Sequence, residues 1–162
     1  MNDVDVHHRA ERLSHALYGL IIITATLVAE KEHIEEPEEA LGLLAATSLV
    51  LLLAHTYSAW MAERIVESSS LGAVGRRMVV ADNLPLLAAI LVPAVLFCLA
   101  WADVMTMQTA YTVSIVFSVA TLVGLGLYQG TLAGMSRAQT ILGGLAAGAI
   151  GLIVVAVEAF FE

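Results

Sequence analysis

Four side chains have the types and spacing to do chemistry: His55, Glu63, Glu67 and Asp82. Imidazole suits borderline metal ions, while carboxylates suit hard or borderline ones. His55 lies within a long apolar run, where an ionisable group is costly and is a functional candidate by default. It could ligate a metal, relay protons or hydrogen-bond a neighbouring helix. A neutral histidine satisfied by Ser, Thr or a carbonyl is the plainer alternative. Glu63 and Glu67 are four apart and share a helix face. With Asp82 they could form an oxygen-rich cation site, or they are solvated charges beside Arg64 and Arg76. His55 and Glu63 are about 12 Å apart along a helix axis. They cannot hold one ion together, and would be successive stations on one path.

The elements that must position these residues are membrane spans. Of 162 residues, 59% are hydrophobic and 14% are charged, and the mean hydropathy is +0.86. A soluble domain carries about 25% charged residues. A bilayer core of about 30 Å takes around 20 apolar residues as a helix. Five runs qualify: 13–29, 40–61, 84–102, 109–128 and 140–157. Backbone in lipid must satisfy its own hydrogen bonds, which makes each of them a helix. The expected fold is an all-α integral membrane bundle of five transmembrane helices, a single domain over residues 1–162. The first run is long for a secretory signal and ends in Glu30 rather than small residues, so it reads as a retained span. No lipidation motif is present.

Charge placement predicts orientation. Arg9, Arg12, Arg64, Arg76, Arg77 and Arg137 all fall on one side of the five spans, with Asp3, Asp5, Glu11, Glu63, Glu67 and Asp82. Lys31 is the single basic residue on the other side, with nine acidic ones. The N-terminus is therefore expected inside and the C-terminus outside, and the outer face holds the whole formal charge of −8. That balance argues against a nucleic-acid partner, which demands a basic face. The loop from Glu30 to Glu39 carries six glutamates and His33. It could concentrate cations, or simply be a solvated loop whose Pro37, Glu38 and Glu39 open the second helix against its dipole.

Small residues repeat every fourth position at Gly126, Gly130 and Gly134, and again at Gly144 and Gly148 with Gly143, Ala147 and Gly151 beside them. Such stripes let backbones approach closely. Packing of spans four and five as an antiparallel pair and a dimer seam are both open. Pro93 should kink span three or free a carbonyl, and Cys98, the single cysteine, reads as a small buried hydrophobe. No nucleophile elbow, P-loop, HExxH or CxxC pattern occurs, so an enzyme is not expected.

Residues 114–126 (Ser-Ile-Val-Phe-Ser-Val-Ala-Thr-Leu-Val-Gly-Leu-Gly), a short loop with Arg137, and then residues 142–147 (Leu-Gly-Gly-Leu-Ala-Ala) resemble the last two spans of the vacuolar iron transporter family. Met61-Ala62-Glu63 is similar to that family's Met and Gly-Glu element at the inner end of its second helix, and Tyr18-Gly19-Leu20 stands where its first span has an acidic residue followed by Gly-Leu. The resemblance implies five spans, a homodimer and transport of a divalent metal ion, Fe²⁺ or Mn²⁺, as substrate rather than cofactor. Two departures are plain. Tyr18 replaces the family's acidic residue, and residues 62–83 are too few for its cytosolic metal-binding helices.

The leading expectation is a small multi-pass divalent metal-ion carrier in a cell membrane, taken as a bacterial plasma membrane from the compact size, with the lipid bilayer and a second copy as partners. The alternative is a non-transporting scaffold or sensor. That alternative predicts His55 satisfied within its own bundle and no hydrated cavity at the midplane. A channel is a third option, but the spans carry no ring of charges.

Overall fold

The computed structural model describes residues 3–66 and 89–161. Among them are five helices and no strand: α1 (Asp3–Glu30), α2 (Pro37–Val66), α3 (Ala89–Trp101), α4 (Met107–Leu132) and α5 (Arg137–Phe161). Four are long and apolar enough to cross a membrane, through Leu13–Glu30, Pro37–Ser58, Met107–Leu132 and Arg137–Val157. The described part of α3 is shorter, about 20 Å at 1.5 Å per residue, and residues 84–88 of the expected third span lie outside the described residues.

Helix ends overrun the apolar runs because capping residues, rather than hydrophobicity, stop the backbone. α2 opens at Pro37, which has no N–H to leave unpaired, followed by Glu38 and Glu39 against the helix dipole. α3 closes with Val104 N–H donating to Leu99 O at 2.9 Å and Asp103 N–H to Ala100 O at 3.0 Å. Asp103 sits in the left-handed region, φ 56°, which short polar side chains tolerate. α4 starts at Thr106, whose Oγ1 accepts from Thr109 N–H at 3.2 Å. It ends on Gly134, φ 65°, with Met135 N–H donating to Gly130 O at 3.1 Å. α5 begins two residues later on a reciprocal cap. Gln139 N–H donates to Ser136 Oγ at 3.4 Å, and Ser136 N–H donates to Gln139 Oε1 at 3.0 Å.

The link at 133–136 is too short for anything but an antiparallel return, so α4 and α5 form the most extensive helix pair, with α1 packed along both. Small residues make the pair possible. A Cβ placed on Gly126 would stand 2.9 Å from both Gly143 O and the Ala147 Cβ, and one on Gly130 would stand 2.8 Å from Thr140 Cα. Val123 and Leu127 of α4 fill the hollows above Gly148 and Gly144. Gly126, Gly130, Gly144 and Gly148 are therefore occupied inside the chain. In a bilayer, whose tails are as apolar as leucine, dispersion across such a seam rather than exclusion of water would favour association.

At the acidic end four helices meet around Ile23 and Leu27 of α1, Ala40 and Leu44 of α2, Phe97 and Ala100 of α3, and Ala110 and Tyr111 of α4. Phe97 meets Tyr111 edge-on at 4.8 Å, a favoured aromatic geometry. Pro93 is fully buried on the face of α3 that carries Phe97, and the helix runs on through it. Cys98 corrects an expectation: it is exposed, because that face turns Pro93, Phe97 and Ala100 inward and leaves Cys98 outward with Leu91 and Val95. Leu49, Val50 and Leu53 of α2, Val116 of α4, and Leu142, Leu145, Leu152 and Ile153 of α5 also point away from the bundle. Apolar faces of that extent are compatible with a multi-pass membrane protein.

Candidate functional site

The six residues 31–36 connect α1 to α2, so the two helices run antiparallel and bring the start of one beside the end of the other. His15 and Tyr18 are three apart on α1 and share a face. His55 of α2 meets both. Its ring lies 5.4 Å from that of His15 at 79°, and 4.9 Å from that of Tyr18 at 51°. His15 and His55 are half-buried; Tyr18 is exposed. The cluster sits at the arginine-bearing end of the bundle, where Tyr57 and Trp60 form a further ring pair at 6.0 Å.

His55 Nδ1 is 3.3 Å from Leu51 O, the carbonyl one turn back. A carbonyl can only accept, so the contact requires the proton on Nδ1 and leaves the lone pair of the neutral ring on Nε2. Backbone contacts of this kind also fix the tautomer of metal-ligating histidines. The arrangement suits ligation or proton acceptance at Nε2.

The other candidates do not join it. Met61 is exposed, 39%, on the same helix. Glu63 opens the last turn of α2, and its side chain lies outside the described residues, as do Glu67 and Asp82 entirely. Among the described residues no three of His, Cys, Asp and Glu converge into a metal-binding set. His15 is the residue that sequence reasoning missed. Its signal was available: reflecting the chain about the middle of 31–36 sets residue 15 level with residue 52, one turn from His55.

A second polar feature lies deeper. Tyr111, Ser114 and Ser118 follow one buried face of α4, and Ser48 lies on α2 two turns before His55. The hydroxyls of all four are buried and find no hydrogen-bond partner among the described residues. The contrast with the threonines is sharp. Thr24 donates to Leu20 O at 2.7 Å, and Thr112 and Thr121 to carbonyls four residues back at 2.8 Å. Ser118 stands about 16 Å into α4, near the middle of a 26-residue helix.

No protein-family model, curated protein or solved structure matches this chain.

Two hollows flank these groups. One of about 400 Å³ opens at the acidic end between the α1–α2 link and α4, lined by Lys31, Glu32, Glu35, Gln108, Tyr111 and Thr112 among others. The second, about 430 Å³, lies at the basic end among Leu13, Gln129, Met135 and Gly143. His55 lines neither.

Proposed function

We propose that the chain is a five-span membrane carrier for a divalent metal ion, with the His15–Tyr18–His55 cluster as a station on the cytoplasmic half of its path. The observation that carries this reading is the imidazole of His55 within the apolar part of α2, in ring contact at 5.4 Å with His15 at the edge of the apolar part of α1, and with its Nε2 left as a ligand. A histidine placed so is expensive in lipid and asks for a role. The buried, unpartnered hydroxyls of Ser48, Ser114 and Ser118 supply further polar groups inside the bundle, and a hollow lined by Tyr111 opens at the acidic end. Met61, about two turns beyond His55 on α2, extends the reading toward the inner surface; Glu63, Glu67 and Asp82 join it from the sequence alone, since their side chains lie outside the described residues. In this reading α3 belongs to a span from about residue 84, the N-terminus is inside, the C-terminus is outside, and the membrane is a cell membrane. The homodimer joins copies through an outer apolar face, since Gly126, Gly130, Gly144 and Gly148 are already occupied within the chain.

Uptake of ferrous or manganous ion into proteoliposomes tests the proposal. Wild type is expected to exceed empty vesicles, and His55→Ala and Glu63→Ala to fall toward them. No flux above empty vesicles overturns the carrier; equal flux in all three proteins overturns the site. One observation favours a non-transporting scaffold or sensor: His55 finds a hydrogen bond on its own helix. That reading predicts no flux of either ion.

A further inference from the structure

We infer that the hollow at the arginine-bearing end of the bundle is a binding site for the tails of an anionic phospholipid, with the headgroup held at Arg137. The inference rests on the membrane-spanning reading and is independent of transport. The hollow, of about 430 Å³, is a corner shared by three helices: Leu13 of α1, Gln129 and Leu132 of α4, Ala133 and Met135 of the link, and Gly143 of α5. Its depth matches that of a lipid. Leu13 begins one apolar stretch, Leu132 ends another and Arg137 begins a third. Gly126 and Gly143, which also line it, stand six residues inside Leu132 and Arg137, about 9 Å at 1.5 Å per residue. The hollow therefore runs from the level of headgroups into the level of acyl chains. Its glycines contribute backbone only, which leaves the corner open where side chains would otherwise fill it. A methylene takes about the volume of a liquid water, ~30 Å³, so the space suits on the order of 14 methylenes, the parts of two tails nearest the glycerol.

The lining sets the chemistry of the ligand. Leu13, Leu132, Ala133 and Met135 offer apolar contact, and methionine adapts to an irregular chain. Gln129, three residues inside Leu132, lies at the depth of the glycerol esters, and its amide can donate to an ester carbonyl. None of the lining residues is acidic. Arg137 is exposed two residues beyond Met135, at the positive end of the α5 dipole, and a guanidinium holds a phosphate through two parallel hydrogen bonds. In the sequence Arg12 directly precedes Leu13. Basic pockets between spans are where anionic headgroups are recognised. A soluble anion would gain nothing from the apolar corner, and the choline of a zwitterionic lipid carries a cation that Arg137 repels.

The test uses the full chain in dodecyl maltoside, stripped of lipid and titrated with dioleoyl phosphatidylglycerol or dioleoyl phosphatidylcholine, with bound lipid counted by native mass spectrometry. Phosphatidylglycerol is expected to be retained about fivefold more strongly than phosphatidylcholine, the factor that one basic residue supplies beside an anionic headgroup. Arg137→Gln should abolish that preference, while Lys31→Gln, at the opposite end, should leave it unchanged. Ala133→Leu, which narrows the hollow, should lower retention of both lipids. Equal retention of the two lipids by wild type, or a preference that survives Arg137→Gln, overturns the site. Displacement of the lipid by inorganic phosphate also overturns it, in favour of a free anion. So does a second copy of the chain retained in place of lipid and released by Ala133→Leu. If either variant loses helicity by circular dichroism, a photoactivatable phosphatidylglycerol on wild type decides. Labels concentrated between residues 126 and 143 support the site; labels spread evenly over the outer faces of α2 and α5 overturn it. Selective lipid retention without metal flux in proteoliposomes leaves the site standing and removes the carrier. Flux without selective retention leaves the carrier and removes the site.

Discussion

Gly126→Ala should destabilise the bundle by about 1–2 kcal/mol, and the reason can be worked from the α4–α5 seam. The new methyl carbon would lie 2.9 Å from Gly143 O, 2.9 Å from the Ala147 Cβ and 3.0 Å from Gly144 Cα. Comfortable carbon contacts are about 3.5–4.0 Å, so α5 must retreat by roughly 0.5–1 Å. A gap of that size forfeits a quarter to a half of each contact's dispersion energy, and overpacking of this kind costs about 1–3 kcal/mol. Alanine returns up to about 1 kcal/mol through its better helix propensity. The seam wins because two of the three obstacles are backbone atoms of α5, which no rotamer change can move. Gly124→Ala is the matched control: it sits on the same helix, and its added methyl meets nothing within 4 Å. It should be neutral or mildly stabilising. Reversible unfolding in mixed micelles with rising SDS fraction, followed by far-ultraviolet circular dichroism, compares the two. If Gly126→Ala is as stable as Gly124→Ala, the helices do not touch as described. Pairing Gly126→Ala with Ala147→Gly should restore only part of the loss, since the Gly143 carbonyl remains in the way.

Further outcomes follow from the same structure. Gly134→Ala should cost about 1–2 kcal/mol in the same assay, because φ 65° forces its Cβ against the backbone. Ser136→Ala removes the reciprocal cap of α5 and should cost about 1 kcal/mol, with faster amide hydrogen exchange confined to the first turn of that helix. Ser118→Ala should leave unfolding unchanged, since its hydroxyl has no partner to lose, yet should lower metal flux. Unchanged flux would show that the serine is there only for its small size.

The helices were legible in the sequence because lipid imposes one demand everywhere: around 20 apolar residues with an internally satisfied backbone. Their ends were less so. Asp103, Thr106, Gly134 and the pair Ser136 and Gln139 set the boundaries through individual hydrogen bonds, which hydropathy cannot register. The stripes at Gly126 and Gly144 announced close contact, but two partners were possible, this chain or another copy. The atoms facing each glycine belong to the same chain. Cys98 went astray for a related reason: an all-apolar helix has no polar stripe to say which side faces inward. Only the position of Pro93, Phe97 and Ala100 against the other helices sets that side.

His55 stood out early because an imidazole in an apolar run is conspicuous by itself. His15 did not, since it lies near the end of its apolar run, where polar residues are ordinary. What the amino-acid order determined alone was local and solvent-driven: apolar helices, the segregation of charge to the two ends, and the turns between α1 and α2 and between α4 and α5. What the tertiary structure decided was which faces meet. That choice joined His15 and Tyr18 to His55 and spent the glycines of α4 on α5. Helix formation is determined by neighbours in sequence, whereas a site shared by two helices depends on their rotation about their own axes. In lipid that rotation is set by packing, not by hydrophobicity.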